Sequence, residues 1–307
     1  MPAPLKPPAL RPGDAVRILS LASPVEESRV DAGSKELVRL GYVPKLDREQ
    51  VLTRDSFLAG SAADRGKALA KALAEPETRA IFCARGGYGS NYLLEALSSA
   101  PKSRKILLGY SDVTSLQIFL WQKFGWVTFY GPMVASGFDH GANTPKGYDR
   151  DSLLHALAET KTGWSLDLRT ESLVPGNAEG ILLGGCLTLV QSTLGTPWEL
   201  DTRNTILVLE DCNVKPYQLD RALMHLKHAG KLRGVRGIIL GDFPGCDVAD
   251  GSETVKDVSR RILDPLKIPV AFGAAIGHTD RPMLTLPLGA RARLSETRLE
   301  ILEPAVM

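Results

Sequence analysis

The chain has 307 residues, of which 44% are hydrophobic and 23% charged, a balance typical of globular proteins with one large or two medium cores. Its 37 Lys and Arg against 35 Asp and Glu residues give a formal net charge of +2, which supplies no electrostatic argument for binding nucleic acid or an anionic membrane. No stretch approaches the roughly 18 uninterrupted apolar residues of a membrane span, and the proline-rich start MPAPLKPPALRPGD lacks the apolar core of a secretory signal. We therefore expect a cytoplasmic protein.

The first half of the chain alternates short apolar runs with amphipathic segments. The apolar runs predict strands at 15–23, 79–84 and 105–110. The amphipathic segments predict helices at 26–42, 63–76, 90–99 and 112–124. Because strands and helices alternate, we predict an α/β domain over residues 1–160, with a mostly parallel sheet covered on both faces.

The character of the sequence changes near residue 160. The segment 161–179 is polar, contains Gly and Pro and lacks a helical period, so it is interpreted as a linker or crossover. A second domain is predicted over 180–307, beginning with a strand or turn that becomes helical by residue 196. Its remaining predicted elements are a helix from Pro216 to Gly230 and strands at 205–210, 237–240, 269–274, 291–296 and 297–302.

The stretch LLGYSDVTSL, residues 107–116, places Ser111 between a buried strand and a helix. Serine is among the best helix N-caps, so capping is one interpretation. The other is a nucleophile held on a tight turn, at a helix N-terminus whose free N–H groups can hold an oxyanion. The turn alone favours capping, so the choice depends on whether a base and an acid accompany the serine.

Five histidines are candidates for that base. His278, in AAIGHTDRPM, follows an apolar strand, where parallel α/β sheets place functional groups, although a turn histidine bonded within its own loop would look the same. His140 lies in a loop and stays a second candidate, whereas His155 lies on a predicted helix and is interpreted as structural or solvated. His225 and His228 stand three residues apart on a helix, a spacing that can bind a metal, but no third ligand accompanies them, which favours an exposed pair.

Two acidic residues could complete a triad with a histidine base, and the spacing of the cysteines argues against a zinc site. A histidine base needs an orienting acceptor, and Glu210 and Asp211 both follow the apolar run ILVL at the end of a predicted strand. The residues alone favour neither acid. The cysteines are far apart, form no CxxC pair and are interpreted as reduced thiols rather than zinc ligands: Cys83, Cys186, Cys212 and Cys246.

A glycine-rich turn, RGGYGS at residues 85–90, follows a predicted strand and precedes a predicted helix. Its glycines permit positive φ and close backbone approach, so the turn can cradle a phosphate, donate an N–H to an oxyanion or simply connect two elements. It matches neither GxGxxG nor a Walker A sequence, which weakens the nucleotide interpretation. Arg85, at its start, is interpreted either as a carboxylate-binding residue or as a surface arginine.

Seven motifs together resemble the LD-carboxypeptidase family of serine peptidases, which includes murein tetrapeptide carboxypeptidases and microcin C immunity proteins. They run through most of the chain: GDAVRILSLASP, RGGYG, LLGYSDVTSL, YGPM, GGCLTLVQSTLGT, LVLEDCNVKPYQLDRAL and IGHTDRPMLTLPLGA. The resemblance implies a flavodoxin-like N-terminal domain, a smaller β-rich C-terminal domain and a catalytic triad in the cleft between them. Carried over by position, the nucleophile would be Ser111, the acid Glu210 and the base His278.

The same resemblance implies the rest of the site. The oxyanion hole would use the backbone N–H groups of Asp112 and Gly87, and Arg85 could bind a substrate carboxylate. No metal or other cofactor is implied. The substrate would be a murein peptide, or a related small peptide, that loses its terminal D-alanine at an L,D amide bond, and the protein would be a homodimer. From the near-neutral net charge and the lack of a membrane span we expect it to bind neither nucleic acid nor membranes.

Two positions depart from the family pattern. Histidine often stands where this chain has Tyr130, and asparagine where it has Cys186; we expect both to affect substrate fit without touching the triad. Within the same chemistry, a microcin-C-type hydrolase of acyl-adenylate-like amides is the alternative, for which Trp198 or Trp164 would supply an aromatic platform. From another class, a non-catalytic ligand- or phosphate-binding protein stays open.

Overall fold

Two β-sheets organise the chain in the computed structural model, which describes residues 2–97, 104–158, 162–247 and 253–307. The strands are β1 (Ala15–Leu19), β2 (Val43–Lys45), β3 (Thr78–Cys83), β4 (Ile106–Gly109), β5 (Thr128–Tyr130), β6 (Trp164–Asp167), β7 (Glu171–Val174), β8 (Asn177–Cys186), β9 (Thr205–Glu210), β10 (Gly237–Gly241), β11 (Val270–Ala274), β12 (Leu286–Leu288), β13 (Arg291–Ser295) and β14 (Arg298–Ile301). The α-helices are α1 (Glu27–Arg39), α2 (Arg48–Leu52), α3 (Ala62–Ala74), α4 (Thr114–Phe124), α5 (Arg150–Leu157), α6 (Leu187–Ser192), α7 (Pro216–His228) and α8 (Val255–Leu263).

The first sheet has the order β12-β5-β4-β3-β1-β2, and β1 to β5 run parallel. The order of these five strands is that of a flavodoxin-like doubly wound sheet. Every residue of β4 is buried, as expected where helices cover both faces of a parallel sheet. The mostly parallel sheet predicted from the residues, and the flavodoxin-like first unit that the family resemblance implies, are therefore confirmed.

The second sheet has eight strands in the order β6-β14-β13-β8-β9-β10-β11-β7. Its centre, β8 to β11, is parallel, whereas the flanking strands pair antiparallel. Because β9 and β10 end beside one another, the loops after these strands emerge at one edge of the sheet. This mixed sheet confirms the β-rich α/β character predicted for the second unit.

Two stretches differ from the sequence predictions. The helix predicted over 90–99 is a pair of 3₁₀ turns, Ser90–Leu93 and Glu95–Leu97, with residues 98 and 99 outside the described ranges. Ser90 begins the first turn with both its N–H and its hydroxyl bonded to Asp112, which commits the start of this segment to a tertiary contact. The segment 161–179, interpreted as a linker, contains β6 and β7, which form the two edges of the second sheet. The division of the chain into domains at 160 and 180 stays a prediction.

The helices of the described ranges are too short or too polar to cross a membrane.

Candidate active site

Ser111 occupies a strained turn between β4 and α4. Its φ is +63°, a left-handed conformation that costs a non-glycine residue about 1–2 kcal/mol and that is concentrated at functional sites. Ser111 begins a 3₁₀ turn, Ser111–Val113, which continues directly into α4. Within the described chain its hydroxyl caps neither of these helical segments. The capping interpretation of Ser111 therefore loses its structural basis, and the strained turn is what a raised nucleophile requires.

The glycine-rich turn after β3 lies directly against Ser111. A Cβ placed on Gly86 would stand 2.9 Å from the Ser111 Cβ and 3.1 Å from its Oγ, so only glycine fits this approach. Gly87 has φ +108°, and a Cβ there would stand 2.3 Å from the Ser23 Oγ. In the described chain the Gly87 N–H has no hydrogen-bond acceptor. The unpaired Gly87 N–H directly follows Gly86, which lies against Ser111, so it is a suitable oxyanion donor.

Asp112 links the Ser111 turn to the glycine-rich turn through its carboxylate and its backbone carbonyl. The residue is buried, its carboxylate accepts the Ser90 N–H at 2.7 Å, and its carbonyl accepts the Ser90 hydroxyl at 2.6 Å. Burial raises the pKa of Asp112 above its ordinary value, although the hydrogen bonds from Ser90 and Gly89 oppose that shift. The carboxylate is thus committed to the glycine-rich turn, which leaves the Asp112 backbone N–H for the oxyanion role.

His278 and Glu210 form a close pair at the carboxyl edge of the second sheet. The Nδ1 atom of His278 lies 2.9 Å from the Glu210 Oε2, and the His278 backbone N–H donates to the same oxygen at 2.9 Å. Two glycines make room for the acid: a Cβ on Gly277 would stand 2.3 Å from the Glu210 Cδ, and one on Gly241 would stand 2.5 Å from its Cβ. Since Nδ1 faces the acid, Nε2 is the nitrogen available to act as a base.

The charge of Glu210 sets the protonation of His278. Burial of the ring lowers the pKa of His278, but the Glu210 carboxylate and the neighbouring Cys212 outweigh it and raise the pKa to about 10. The Glu210 side chain is fully buried, whereas 22% of the His278 side chain is exposed. The pair therefore combines a buried acid with a base that is partly exposed.

Asp211, the other acid considered from the sequence, is engaged elsewhere. Its Oδ2 accepts the N–H and hydroxyl of Thr188, at 3.0 and 2.7 Å, and its Oδ1 accepts the N–H of Cys212 at 2.9 Å. The Cys186 thiol also donates to it, at 3.7 Å. Asp211 thus anchors the start of α6, and Glu210 is the acid that contacts His278.

Two tyrosines connect this pair to the serine, and the sequence analysis assigned neither of them to the site. The Tyr130 hydroxyl donates to the Glu210 Oε1 and accepts the Ser111 N–H at 3.4 Å. The Tyr110 ring meets the His278 ring edge-on, with centroids 5.2 Å apart. The expectation that position 130 would not touch the proposed triad is wrong, because Tyr130 bonds the proposed acid directly. Among the described residues no hydrogen bond joins Ser111 to His278, and such bonds are often long before substrate binds.

The remaining sequence candidates lie apart from this cluster. His140 is exposed and pairs with Asp139, while His155 stacks on Trp164. His225 and His228 are exposed on α7, and the His225 Nδ1 is hydrogen-bonded to Gln191 at 2.8 Å. Within the described ranges, no group of three or more His, Cys, Asp or Glu side chains is arranged to hold a metal ion.

Arg85 stands exposed at the start of the glycine-rich turn, with one guanidinium nitrogen, Nη1, donating to the Pro24 carbonyl at 3.1 Å. This bond fixes the head group near the turn and leaves further N–H donors for a carboxylate. The position agrees with a substrate-binding role as well as with a surface role.

The chain is similar over most of its length to several known proteins. Family profiles described as the LD-carboxypeptidase N-terminal domain and C-terminal domain match residues 16–131 and 179–294. A probable murein peptide carboxypeptidase of Bacillus subtilis is 36% identical over 295 residues, covering 94% of this chain and 91% of that protein. The microcin C7 self-immunity protein MccF of Escherichia coli is 29% identical over 313 residues, covering 91% and 90%. The crystal structure of a muramoyltetrapeptide carboxypeptidase from Oxalobacter formigenes is 28% identical with a TM-score of 0.82, covering 94% of this chain and 99% of that one.

Proposed function

The chain belongs to the LD-carboxypeptidase family and is a serine carboxypeptidase, and from that premise we propose that it releases the terminal D-alanine of a murein tetrapeptide by cleaving an L,D amide bond. We further propose that Ser111, His278 and Glu210 are its catalytic triad, and that it works in the cytoplasm as a homodimer in peptidoglycan recycling. The observation that carries the triad is the strained Ser111 turn, together with the His278–Glu210 pair at 2.9 Å.

The proposed reaction is an acyl transfer in two halves. His278 Nε2 takes the proton of Ser111 as its Oγ bonds to the scissile carbonyl carbon, and Glu210 stabilises the resulting imidazolium. The tetrahedral oxyanion is held by the backbone N–H groups of Asp112 and Gly87. When the intermediate collapses, the C–N bond breaks and His278 gives its proton to the leaving D-alanine amine. Water then attacks the acyl-serine, passes a proton to His278, and releases the shortened peptide as Ser111 regains its hydrogen.

A carboxypeptidase must also recognise the free carboxylate of its substrate. Arg85 is proposed for that role, since its guanidinium stands beside the glycine-rich turn and offers donors in the fork geometry that carboxylates accept. Binding there would set the terminal residue on the leaving-group side of Ser111.

The microcin-type alternative depends on an aromatic platform near the serine. Trp164 is buried against His155, and Trp198 packs edge-on against Phe119 of α4. In the described chain neither tryptophan ring pairs with the His278 ring, which favours the murein peptide over an acyl-adenylate-like amide.

The test is D-alanine release from purified murein tetrapeptide, run beside an acyl-sulfamoyl nucleoside amide as the competing substrate. Ser111→Ala should abolish release and also labelling by a serine-directed probe, with EDTA without effect on the wild type. Ser61→Ala is the matched control, because Ser61 caps α3 through the Asp64 N–H at 3.1 Å. That variant should lose about 1 kcal/mol of stability and keep its activity. Activity that survives Ser111→Ala contradicts the triad. Turnover of the nucleoside amide without D-alanine release would show that the murein peptide is not the substrate.

A further inference from the structure

Tyr130 lies between the two halves of the proposed site. It is the last residue of β5 in the first sheet, is fully buried, and directs its hydroxyl at Glu210, the last residue of β9 in the second sheet. The same oxygen faces the backbone N–H of Ser111 at 3.4 Å. One hydroxyl group therefore contacts both the proposed acid and the backbone of the proposed nucleophile.

The ring that carries this hydroxyl is tightly enclosed. Gly185, at φ +137°, leaves room for it, because a Cβ there would stand 3.0 Å from the Tyr130 Cε2. The Tyr110 ring packs edge-on against it, with centroids 6.2 Å apart. A confined ring delivers its hydroxyl at a defined position, which is what a preorganised site requires.

The buried carboxylate of Glu210 needs a hydrogen-bond donor for each of its oxygens, and the Tyr130 hydroxyl supplies one of them. A fully buried carboxylate is costly unless its oxygens are hydrogen-bonded. His278 serves mainly Oε2, through its N–H and its Nδ1 at 2.9 Å each, whereas Oε1 stands 3.3 Å from that Nδ1. Tyr130 is the closer partner of Oε1 and so fixes the rotation of the carboxylate relative to the imidazole.

We propose that Tyr130 is a positioning residue of this active site, whose hydroxyl orients Glu210 toward His278 and steadies the left-handed backbone of Ser111. The inference rests on the proposed function in that it takes these three residues as the triad. Tyr130 touches no reacting atom in this scheme and acts through the acid and the nucleophile.

The hydroxyl also moderates the charge that His278 experiences. The groups that face His278 are Glu210, the adjacent Cys212 and the Tyr110 ring, and those that face Tyr130 are Glu210 and Cys186. A donor on Oε1 withdraws negative charge from the carboxylate, so its removal should favour the imidazolium. Loss of the hydroxyl should therefore move the acid limb of kcat/KM to higher pH.

Tyr130→Phe tests this directly, since it deletes one hydroxyl and keeps the ring. We expect kcat to fall about 10- to 100-fold with KM within about twofold, the effect of losing a hydrogen bond to a charged group in the transition state. The matched control is Tyr148→Phe, because Tyr148 is equally buried and donates to the buried Glu36 at 2.6 Å, outside the site. That variant should leave kcat and the acid limb unchanged.

Two further measurements separate this inference from the proposed function. In a double-mutant cycle, Tyr130→Phe should lower kcat by a smaller factor when Glu210→Gln is present than in the wild type, because the part of its effect that passes through the acid is already lost. The titration of the His278 imidazole, followed by NMR without substrate, should shift upward in Tyr130→Phe even if the natural substrate is another amide. If Tyr130→Phe does not fold, tyrosine labelled at Cζ replaces it, and one buried Cζ resonance should change between wild type and Glu210→Gln. Unchanged kcat, or an imidazole titration that stays in place or moves downward, overturns the role of Tyr130; absence of wild-type turnover overturns only the proposed function.

Discussion

At the scale of single residues, the clearest feature is the conflict between stability and geometry at Ser111. A serine at φ +63° is strained, whereas glycine adopts this conformation freely but loses more backbone entropy on folding. The balance predicts that Ser111→Gly is more stable than the wild type by about 0.5–1 kcal/mol while being inactive. Urea unfolding of the two proteins measures this difference. Ser111→Ala is the control, since alanine shares the strain and should gain nothing; a glycine variant less stable than the wild type would contradict the assigned turn.

His278 gives a prediction about pH. Because Glu210 and Cys212 raise the pKa of His278 to about 10 against the opposing effect of burial, the imidazolium persists above neutral pH. A general base acts only when neutral, so the acid limb of kcat/KM should lie above the ordinary value near 6.5. Glu210→Gln should lower that limb and reduce kcat strongly. Asp211→Asn is the control and should leave the limb in place, because Asp211 is bound to Thr188; a wild-type limb below 6.5 is the contrary result.

The raised pKa of His278 also makes the free energy of unfolding depend on pH. The pKa of His278 is higher in the folded than in the unfolded protein, so the charged pair stabilises the fold fully below about pH 6.5. That contribution is lost as the pH rises toward about 10. The difference in unfolding free energy between wild type and His278→Gln should therefore shrink over this interval.

How far the site could be predicted from sequence differs from residue to residue. Ser111, His278 and Glu210 stand at strand ends, where parallel sheets present functional groups, so local patterns combined with the family resemblance could select them. Tyr130 also ends a strand, in YGPM, but its partners Ser111 and Glu210 belong to separate runs of the chain. A contact between two sheets leaves no periodic signal in either of them, and this is why its role was missed.

At the scale of elements, the loop that carries His278 is fixed by one arginine. Arg281 donates to both carboxylate oxygens of Asp242, at the end of β10, and to the carbonyls of Arg169 and Gly273. The Thr279 hydroxyl, next to His278, donates to the same Asp242. Asp242 and Arg281 together therefore hold the loop beside the strand end that carries Glu210.

Arg281→Ala should accordingly loosen the base without removing it. We expect kcat to fall about 10-fold or more, since small displacements of a catalytic group are costly, with KM changing little. Steady-state kinetics measure the separate effects on kcat and KM, and Arg281→Lys should retain part of the kcat that Arg281→Ala loses. Arg293→Ala is the control, because Arg293 on β13 pairs with Glu179 and Glu300, at the far end of β8 from the site. Equal losses in both arginine variants would show a general effect on stability instead.

Long periodic helices were predicted well, whereas short strands at the sheet edges were not. The 13-residue helices α1, α3 and α7 carry complete amphipathic patterns, and the sequence located all three. β6 and β7 have four residues each and lie at sheet edges, where half-exposed strands resemble polar linker. β12 has only three residues and contains Pro287, which argues against a strand except at an edge.

At the scale of the whole molecule, the chain returns from the second unit to the first. β12 follows the His278 loop and pairs antiparallel with β5, while β13 and β14 return to the second sheet. The loop before β12 is tied back as well, since the Met283 N–H donates to the Gly147 carbonyl and the Asp149 N–H to the Met283 carbonyl, at 3.0 and 2.9 Å. The first sheet is therefore incomplete without β12, which comes from the second half of the sequence.

Because β12 ties the second half of the chain into the first sheet, we predict that the two sheets unfold together. Trp121 and Trp126 report on the first unit and Trp164, on β6, reports on the second sheet, whereas Trp198 packs against Phe119 of α4. Urea unfolding of the fluorotryptophan-labelled protein, followed by ¹⁹F NMR, should give one midpoint for all four resonances. Leu286→Ala, in the buried β12, should cost about 2–5 kcal/mol and lower every midpoint equally. Two separated transitions, or a shift confined to the Trp121 and Trp126 resonances, would show instead that the units are independent and that the site between them forms by docking.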